Sequence, residues 1–151
     1  MDNPNEMLGP IAHIYRSNLA YMTKELEDYR VRGGQFEFLL ILSREDGLSQ
    51  ETLAKKLKVS KTTSSRAIQN LDNEGYIHKK RDENDLRAYK IYLTEKGKEM
   101  IDLIFKKQRS FVNIIFSDFS PEEKEIFRLL IFKASIKLFE DKIPPTQKNK
   151  K

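Results

Sequence analysis

Residues 48–97 have the sequence LSQETLAKKLKVSKTTSSRAIQNLDNEGYIHKKRDENDLRAYKIYLTEKG, which contains the strongest structural signals of the chain. Two segments within it repeat apolar or small residues at helical spacing. They are Leu53, Ala54 and Leu57 in the first segment, and Ser64, Ala67, Ile68 and Leu71 in the second. Ser49 and Ser60 precede the segments, where an N-cap side chain accepts a free backbone N–H. Two short amphipathic helices joined by a tight polar turn predict a helix-turn-helix.

The outward face of the second predicted helix carries no acidic residue. If Ser64, Ile68 and Leu71 point inward, the side chains that point outward are Lys61, Thr62, Ser65, Arg66 and Gln69. Such groups bind phosphates or base edges in a major groove. Ser60 and Lys61 begin the helix, where backbone N–H groups and the helix dipole favour phosphate. Arg66 is a candidate for contacts to guanine and Gln69 for contacts to adenine. Thr62 and Ser65 are candidates for either phosphate or base contacts. The alternative for Arg66 is a solvated surface position.

A β-ribbon with a basic root follows this helix. Gly75 ends the helix as a C′ residue, and the segments 76–80 and 88–93 are rich in aromatic and β-branched residues, which predicts two strands. The polar segment 82–85 forms the loop between them. Lys79, Lys80 and Arg81 are candidates for phosphate contacts, although a solvated run of charge is nearly as good an explanation.

The spacing of residues in and around this ribbon resembles a known signature. Arg81, Asp85, Arg87, the pair Leu93-Thr94 and Gly97 resemble the pattern of the MarR family of winged-helix transcription regulators. The segment LDNEGYI at 71–77 resembles that family's segment before the wing. Ser64 departs from the family, which usually has an apolar residue at this position. The resemblance implies a mainly α fold with a small antiparallel β-wing, and long N- and C-terminal helices that form a dimerisation arm.

The resemblance also carries functional expectations. It implies that Arg87 lies at the wing tip and reaches the minor groove, with Asp85 spaced to steer its guanidinium; the alternative is a surface ion pair between the two. It implies a homodimer that binds a pseudo-palindromic operator in double-stranded DNA, most often as a repressor, in a prokaryote. It further implies release by a small phenolic or aromatic carboxylate effector.

Apolar residues outside the central stretch predict further helices over about 8–29, 35–43, 94–115 and 120–139. Thr94 and Ser120 are predicted N-caps, and Glu123 can return a bond to the Ser120 N–H. The outer helices hold more apolar surface than a small wing domain covers, and the resemblance assigns this surface to dimerisation. The predicted division is 1–34, an N-terminal dimerisation helix; 35–97, the winged helix-turn-helix; 98–143, C-terminal dimerisation helices; and 144–151, a disordered basic tail.

Composition narrows the class of protein. The net charge is +5 and there are no cysteines in 151 residues, which excludes disulfides and thiolate chemistry and fits a cytoplasmic, nucleic-acid-binding protein. The isolated histidines, His13 and His78, have no second ligand at metal spacing. We expect no cofactor, no metal and no enzymatic activity. The N-terminal segment is polar, and no apolar run is long enough to cross a membrane.

Three residues of the first predicted helix are candidates for effector binding. Arg16 could receive a carboxylate beside the apolar stripe, with His13 and Tyr15 as neighbours. The alternative is a surface or interface role for Arg16 and His13. A different class of function also stays open, because a winged helix can serve as a protein- or RNA-interaction module that binds no operator.

Overall fold

The computed structural model describes residues 3–140. The elements in chain order are α1 (Asn5–Glu25), a short 3-10 helix (Glu27–Tyr29), α2 (Gln35–Arg44), β1 (Leu48–Ser49), α3 (Gln50–Leu57), α4 (Lys61–Asn73), β2 (Ile77–Arg81), β3 (Tyr89–Leu93), α5 (Glu95–Ile115) and α6 (Pro121–Glu140). This confirms the predicted class, mainly α with a small antiparallel β-wing. The predicted disordered tail, 144–151, and residues 141–143 lie outside the described residues.

The predicted N-caps are all made. In each, the side-chain oxygen accepts the backbone N–H three positions further along at 3.1 to 3.2 Å, and the four residues are Ser49, Ser60, Thr94 and Ser120. Glu123 closes a capping box, because its Oε2 accepts the Ser120 N–H at 2.8 Å. These caps satisfy donors that the first helical turn leaves free, and they fix where α3, α4, α5 and α6 begin.

The first helix begins and ends earlier than predicted. The periodic apolar residues continue to Tyr29, but α1 ends at Glu25 and residues 27–29 form one 3-10 turn. Arg30 then adopts a left-handed conformation with φ of 58°, which turns the chain towards α2. Because α1 begins at Asn5, Pro10 lies inside the helix. Periodicity alone cannot distinguish a regular helix from a final 3-10 turn that keeps nearly the same apolar face.

The sheet has three strands, one more than predicted, in the order β1-β3-β2. The additional strand β1 has only two residues, and Leu48 pairs with Ile91 of β3. On the other side, β2 pairs with β3 along its whole length, from Ile77 opposite Leu93 to Arg81 opposite Tyr89. β1 thereby ties the start of the helix-turn-helix to the root of the wing.

One buried cluster joins the winged-helix unit to its neighbours. It includes Met22 of α1 and Leu26, the residue directly after α1, and extends through α2, α3, α4 and the sheet to Ile101 and Ile104 of α5. The core therefore continues across residues 34 and 97, the boundaries that the sequence suggests. Further from this core, a cluster of three aromatic rings packs the α5–α6 corner: Phe116, Phe119 and Phe127.

The described helices leave a large apolar surface exposed. The exposed large side chains on α1 and α6 are Met7, Leu8, Ile11, Tyr15, Ile126, Leu129, Leu130, Ile131, Phe132, Ile136 and Leu138. The seven on α6 encircle that helix rather than forming one stripe. Within residues 3–140, none of the helices combines the length and hydropathy that a bilayer span needs.

Candidate nucleic-acid interface

α4 is held by its inward face, which leaves the predicted outward face free. Ser64, Ala67, Ile68 and Leu71 are buried, and all five predicted outward residues of α4 are exposed. Ser64 is fully buried although it is polar, and its Oγ donates to the backbone oxygen of Gln50 at 3.4 Å. A serine fits where the family usually has an apolar residue, because the start of α3 supplies an acceptor.

The two residues predicted to contact bases differ in their present partners. Arg66 is exposed, and its guanidinium has no hydrogen-bond or ion-pair partner among residues 3–140. Gln69 donates from Nε2 to Asn73 Oδ1 at 2.9 Å. A bidentate contact between Gln69 and adenine uses both the amide N–H and the carbonyl, so it requires that intrahelical bond to break. Arg66 is the side chain that is already free to bind.

The N-terminal end of α4 lies near a carboxylate of α3. Glu51 pairs with Lys55 at 2.9 Å, and the hydrogen bond from Lys55, followed by the charges of Lys55 and Lys61, lowers the pKa of Glu51. The α4 dipole and Lys61 both favour a phosphate here. Glu51 offsets part of that attraction, since a phosphate would compete with it for the two lysines.

A cleft of about 1030 Å³ lies between α3, the start of α4 and the wing. Ala54, Val59 and Ile91 contribute apolar lining, and its basic and aromatic lining comes from Lys55, Lys61, Lys79 and Tyr89. The cleft therefore joins the two predicted DNA-contacting elements through a surface that carries three lysines and one carboxylate, that of Glu51.

The three basic residues at the root of the wing do not all lie on the same face of β2. Successive side chains of a strand point to opposite faces, so Lys79 and Arg81 share the face of buried Ile77, whereas Lys80 points away. Lys79 Nζ lies 3.5 Å from Asp72 Oδ2 on α4. The Arg81 guanidinium lies 5.9 Å from the centre of the Tyr89 ring. Lys80 stands opposite Lys90 on the other face. The three cations thus do not form one continuous phosphate-binding row.

At the wing tip, Asp85 acts on the backbone of Arg87 rather than on its side chain. Asp85 Oδ1 accepts the Arg87 N–H at 3.0 Å, and the Asp85 carbonyl accepts the Ala88 N–H at 2.9 Å. The expected carboxylate–guanidinium contact is absent from the described residues. The Arg87 side chain is exposed and free of partners within residues 3–140. Asp85 therefore shapes the turn that presents Arg87.

The three candidate effector residues do not converge within one protomer. His13 and Arg16 are exposed and one turn apart on α1, whereas Tyr15 lies on the other side of the helix. Tyr15 donates to Glu37 Oε2 of α2 at 3.3 Å. Burial raises the pKa of the Glu37 carboxyl.

Among residues 3–140, no three histidine or acidic side chains are grouped so that they could hold a metal ion.

Contacts at the other end of α4 were not predicted. Asn70 binds the segment between α1 and α2, and Tyr76, just beyond α4, binds Tyr29. No spacing rule identifies such bonds, because they join an amide and a phenol to acceptors more than 30 positions away, two backbone carbonyls and the side-chain oxygen of Gln35. Only the presence of a polar Asn70 beside the apolar face hints at a polar partner.

Comparison with known proteins agrees with this geometry. The model of the MarR family matches residues 33–89. Among curated proteins, an uncharacterized HTH-type transcriptional regulator of Bacillus subtilis, YybA, is 32% identical over 86% of this chain and 87% of its own length.

Solved structures are similar over nearly the whole fold. A MarR transcriptional regulator from Methanosarcina mazei is 41% identical, with a TM-score of 0.79 over 88% of this chain and 99% of its own. A putative MarR family regulator from Listeria monocytogenes, solved in complex with 26mer DNA, is 27% identical, with a TM-score of 0.81 over 94% of this chain and 93% of its own. The winged-helix geometry and these similarities together establish that the chain belongs to the MarR family of transcriptional regulators.

Proposed function

We propose that this regulator is a repressor that binds a pseudo-palindromic operator as a homodimer. One observation carries the proposal: the acid-free outward face of α4, on which Arg66 has no partner among residues 3–140. Arginine in a major groove is the commonest specific contact to guanine. The exposed Arg87 at the wing tip supplies a second, separate contact for the adjacent minor groove.

The apolar surface of α1 and α6 supports the homodimer. Seven large apolar side chains encircle α6, and Leu130 alone is 61% exposed. Large apolar side chains on more than one side of a helix require more than one covering surface. Each square ångström of apolar surface removed from water contributes about 25 cal/mol, so intertwined packing with a second copy is strongly favoured. In this arrangement residues 1–34 and 98–143 form the dimerisation arm, and residues 35–97 bind DNA.

A two-fold dimer sets the geometry of the operator. Two α4 helices enter successive major grooves, and their half-sites are one helical turn apart, roughly 10 base pairs centre to centre. The 26mer bound by the Listeria regulator is long enough for two such half-sites. Repression then follows from occupancy, because a dimer that covers two grooves at a promoter blocks polymerase.

The proposal includes release by a small phenolic or aromatic carboxylate. The support is Arg16, an exposed guanidinium without a partner among residues 3–140, on the same face of α1 as His13. Tyr15 contributes less, because its hydroxyl already donates to a carboxylate, which would repel an anionic ligand. The site therefore requires residues from a second protomer to become complete.

The test is selection of duplexes from a random pool, followed by footprinting and mass measurement of the complex. We expect an enriched inverted repeat, two protected segments about 10 base pairs apart and two protein chains per duplex. Binding should weaken steeply with salt, and salicylate should release the duplex. Enrichment of no sequence would contradict operator binding and would favour a protein- or RNA-interaction module.

A further inference from the structure

Hydrogen bonds join the C-terminal part of α4 to residues 26–34, the connector between α1 and α2. Asn70 Nδ2 donates to the backbone oxygen of Arg30 at 3.0 Å and to Gln35 Oε1 at 2.8 Å. An amide nitrogen has two hydrogens, so these two bonds use its full donor capacity. Among residues 3–140, no other side chain of α4 forms a hydrogen bond or an ion pair with the connector.

Gln35 joins this contact to the connector itself. Its Oε1 accepts the Arg32 N–H at 3.0 Å as well as the Asn70 amide, so one oxygen links the connector, the start of α2 and α4. A second tie lies just beyond α4, where the buried Tyr76 donates from its hydroxyl to the Tyr29 backbone oxygen at 2.8 Å.

The connector itself has an uncommon conformation. Arg30 is left-handed with φ of 58°, an arrangement that costs free energy for a residue with a side chain. The carbonyl groups of Tyr29 and Arg30 are the acceptors for Tyr76 and Asn70. The ties thus hold a strained turn in place, whereas the Arg30–Glu74 ion pair at 3.7 Å involves an exposed guanidinium and contributes little.

Asn70 also lies four residues after Arg66, so the tie is one helical turn from the proposed base-contacting side chain. A bond at this distance restrains both the rotation and the tilt of α4. Burial of the apolar face of α4 stabilises its packing on the core. It does not by itself fix the orientation of the helix, because apolar contacts are non-directional.

From this juxtaposition we infer that Asn70 is a positioning residue for DNA recognition. It fixes the orientation of α4 relative to α1, and thereby sets the spacing of half-sites that the dimer accepts. The inference rests on the proposed function, since half-site spacing has meaning only for an operator-binding dimer. A purely stabilising residue would change stability without changing the preferred spacing.

The first measurement needs neither DNA nor a dimer. The chain contains no cysteine, so Thr23→Cys on α1 and Thr62→Cys on α4 allow two spin labels to be attached at chosen positions. Dilution with unlabelled protein isolates the distance within one protomer. We expect a narrow distance distribution, which Asn70→Leu broadens or shifts. Ile104→Val, which trims a buried α5 side chain outside the tie, should leave it unchanged. An unchanged distribution in Asn70→Leu overturns the inference.

The second measurement uses duplexes selected by the wild type, with one or two base pairs inserted or deleted between half-sites. Asn70→Leu should bind the selected spacing about tenfold more weakly and discriminate between spacings by less than about threefold. Ile104→Val should discriminate as the wild type does. Retention of the wild-type preference by Asn70→Leu overturns the spacing role. If the wild type itself has no spacing preference, the dimeric-operator proposal fails, and the spin-label result still decides whether Asn70 orients α4.

Discussion

Asp85 and Arg87 show how a sequence motif can be identified while its contact is mistaken. Their spacing predicts a carboxylate that steers a guanidinium. In the structure, Asp85 Oδ1 accepts the Arg87 backbone N–H at 3.0 Å, and the guanidinium stays free. Asp, Asn and Ser side chains often bind their own backbone two residues on, and the same two-residue spacing serves either contact. Only coordinates distinguish the two.

Substitutions at Asp85 separate these roles. Asn keeps the oxygen that accepts the Arg87 N–H, so Asp85→Asn should bind DNA as well as or better than the wild type, because a negative charge is lost. Asp85→Ala loses the turn and should bind several-fold more weakly, approaching Arg87→Ala. Affinity measured by fluorescence anisotropy checks the order. Equal weakening by Asn and Ala would support the ion-pair explanation instead.

Glu37 should make the stability of the protein depend on pH. Burial raises the pKa of its carboxyl, although the Tyr15 hydroxyl opposes this. Folding therefore favours the protonated form. Protonation of Glu37 stabilises the fold fully below the ordinary pKa of a glutamate, and this stabilisation is lost as the pH rises through the raised pKa of the folded state. Glu37→Gln, whose oxygen still accepts from Tyr15, should raise Tm at pH 7 and give little gain at about pH 4.

Thermal unfolding across this pH range checks the effect of Glu37→Gln. Glu83→Gln, which removes an exposed carboxylate from the wing loop, is the matched control and should show no such trend. A Tm gain for Glu37→Gln that is the same at both pH values would show that burial of the charge is not its cause.

At the scale of elements, the junction of wing and α5 explains one motif position. Thr94 caps α5 and also donates from Oγ1 to the Gly75 oxygen at 2.6 Å. A Cβ added at Gly97 would lie 2.1 Å from the Tyr76 backbone oxygen. The Leu-Thr-x-x-Gly pattern is therefore the sequence of a helix start that lies against the end of α4.

Gly97→Ala should destabilise the protein by about 1–3 kcal/mol, because the clash is with backbone that cannot rotate away. Gly9→Ala in α1 is the control, since its added Cβ would meet only Asn5 at 3.4 Å. Removing a helix-interior glycine should stabilise by up to about 1 kcal/mol. Urea unfolding measures both. Equal stability of Gly97→Ala and wild type would contradict the close packing.

The sequence predicted where α3, α4, α5 and α6 begin, because each N-cap side chain accepts an N–H only three residues further along. These N-caps are Ser49, Ser60, Thr94 and Ser120. They did not predict β1, since two residues carry no alternating pattern and their pairing with β3 spans about 40 positions. The outward face of α4 was predicted correctly for the same reason as the caps: helical periodicity fixes it locally.

In the whole molecule, the main feature without a partner among the described residues is the set of exposed apolar side chains that encircle α6. Periodicity predicted its apolar residues, but which surface covers them depends on assembly. The ties between α4 and the connector also escaped prediction, because Asn70 and its acceptors are brought together only by the complete fold.

Leu130→Glu should separate the dimer, because it places a charge within the proposed apolar interface. The mass measured by light scattering should fall towards 17.8 kDa, that of one chain. Lys124→Glu, in the exposed first turn of α6, also introduces an acid and should leave the dimer intact. A Leu130→Glu protein that keeps twice the mass of one chain would contradict the interface.

If the outward face of α4 contacts bases, Arg66→Ala should lose affinity for the operator in particular. Its affinity for a selected operator and for random duplex should be measured at two salt concentrations beside Lys106→Ala, which removes one positive charge from α5. We predict a loss of roughly 10- to 100-fold for the operator, little change for random duplex, and no specific loss in Lys106→Ala. Operator binding by Arg66→Ala that equals the wild type would show that Arg66 does not contact bases.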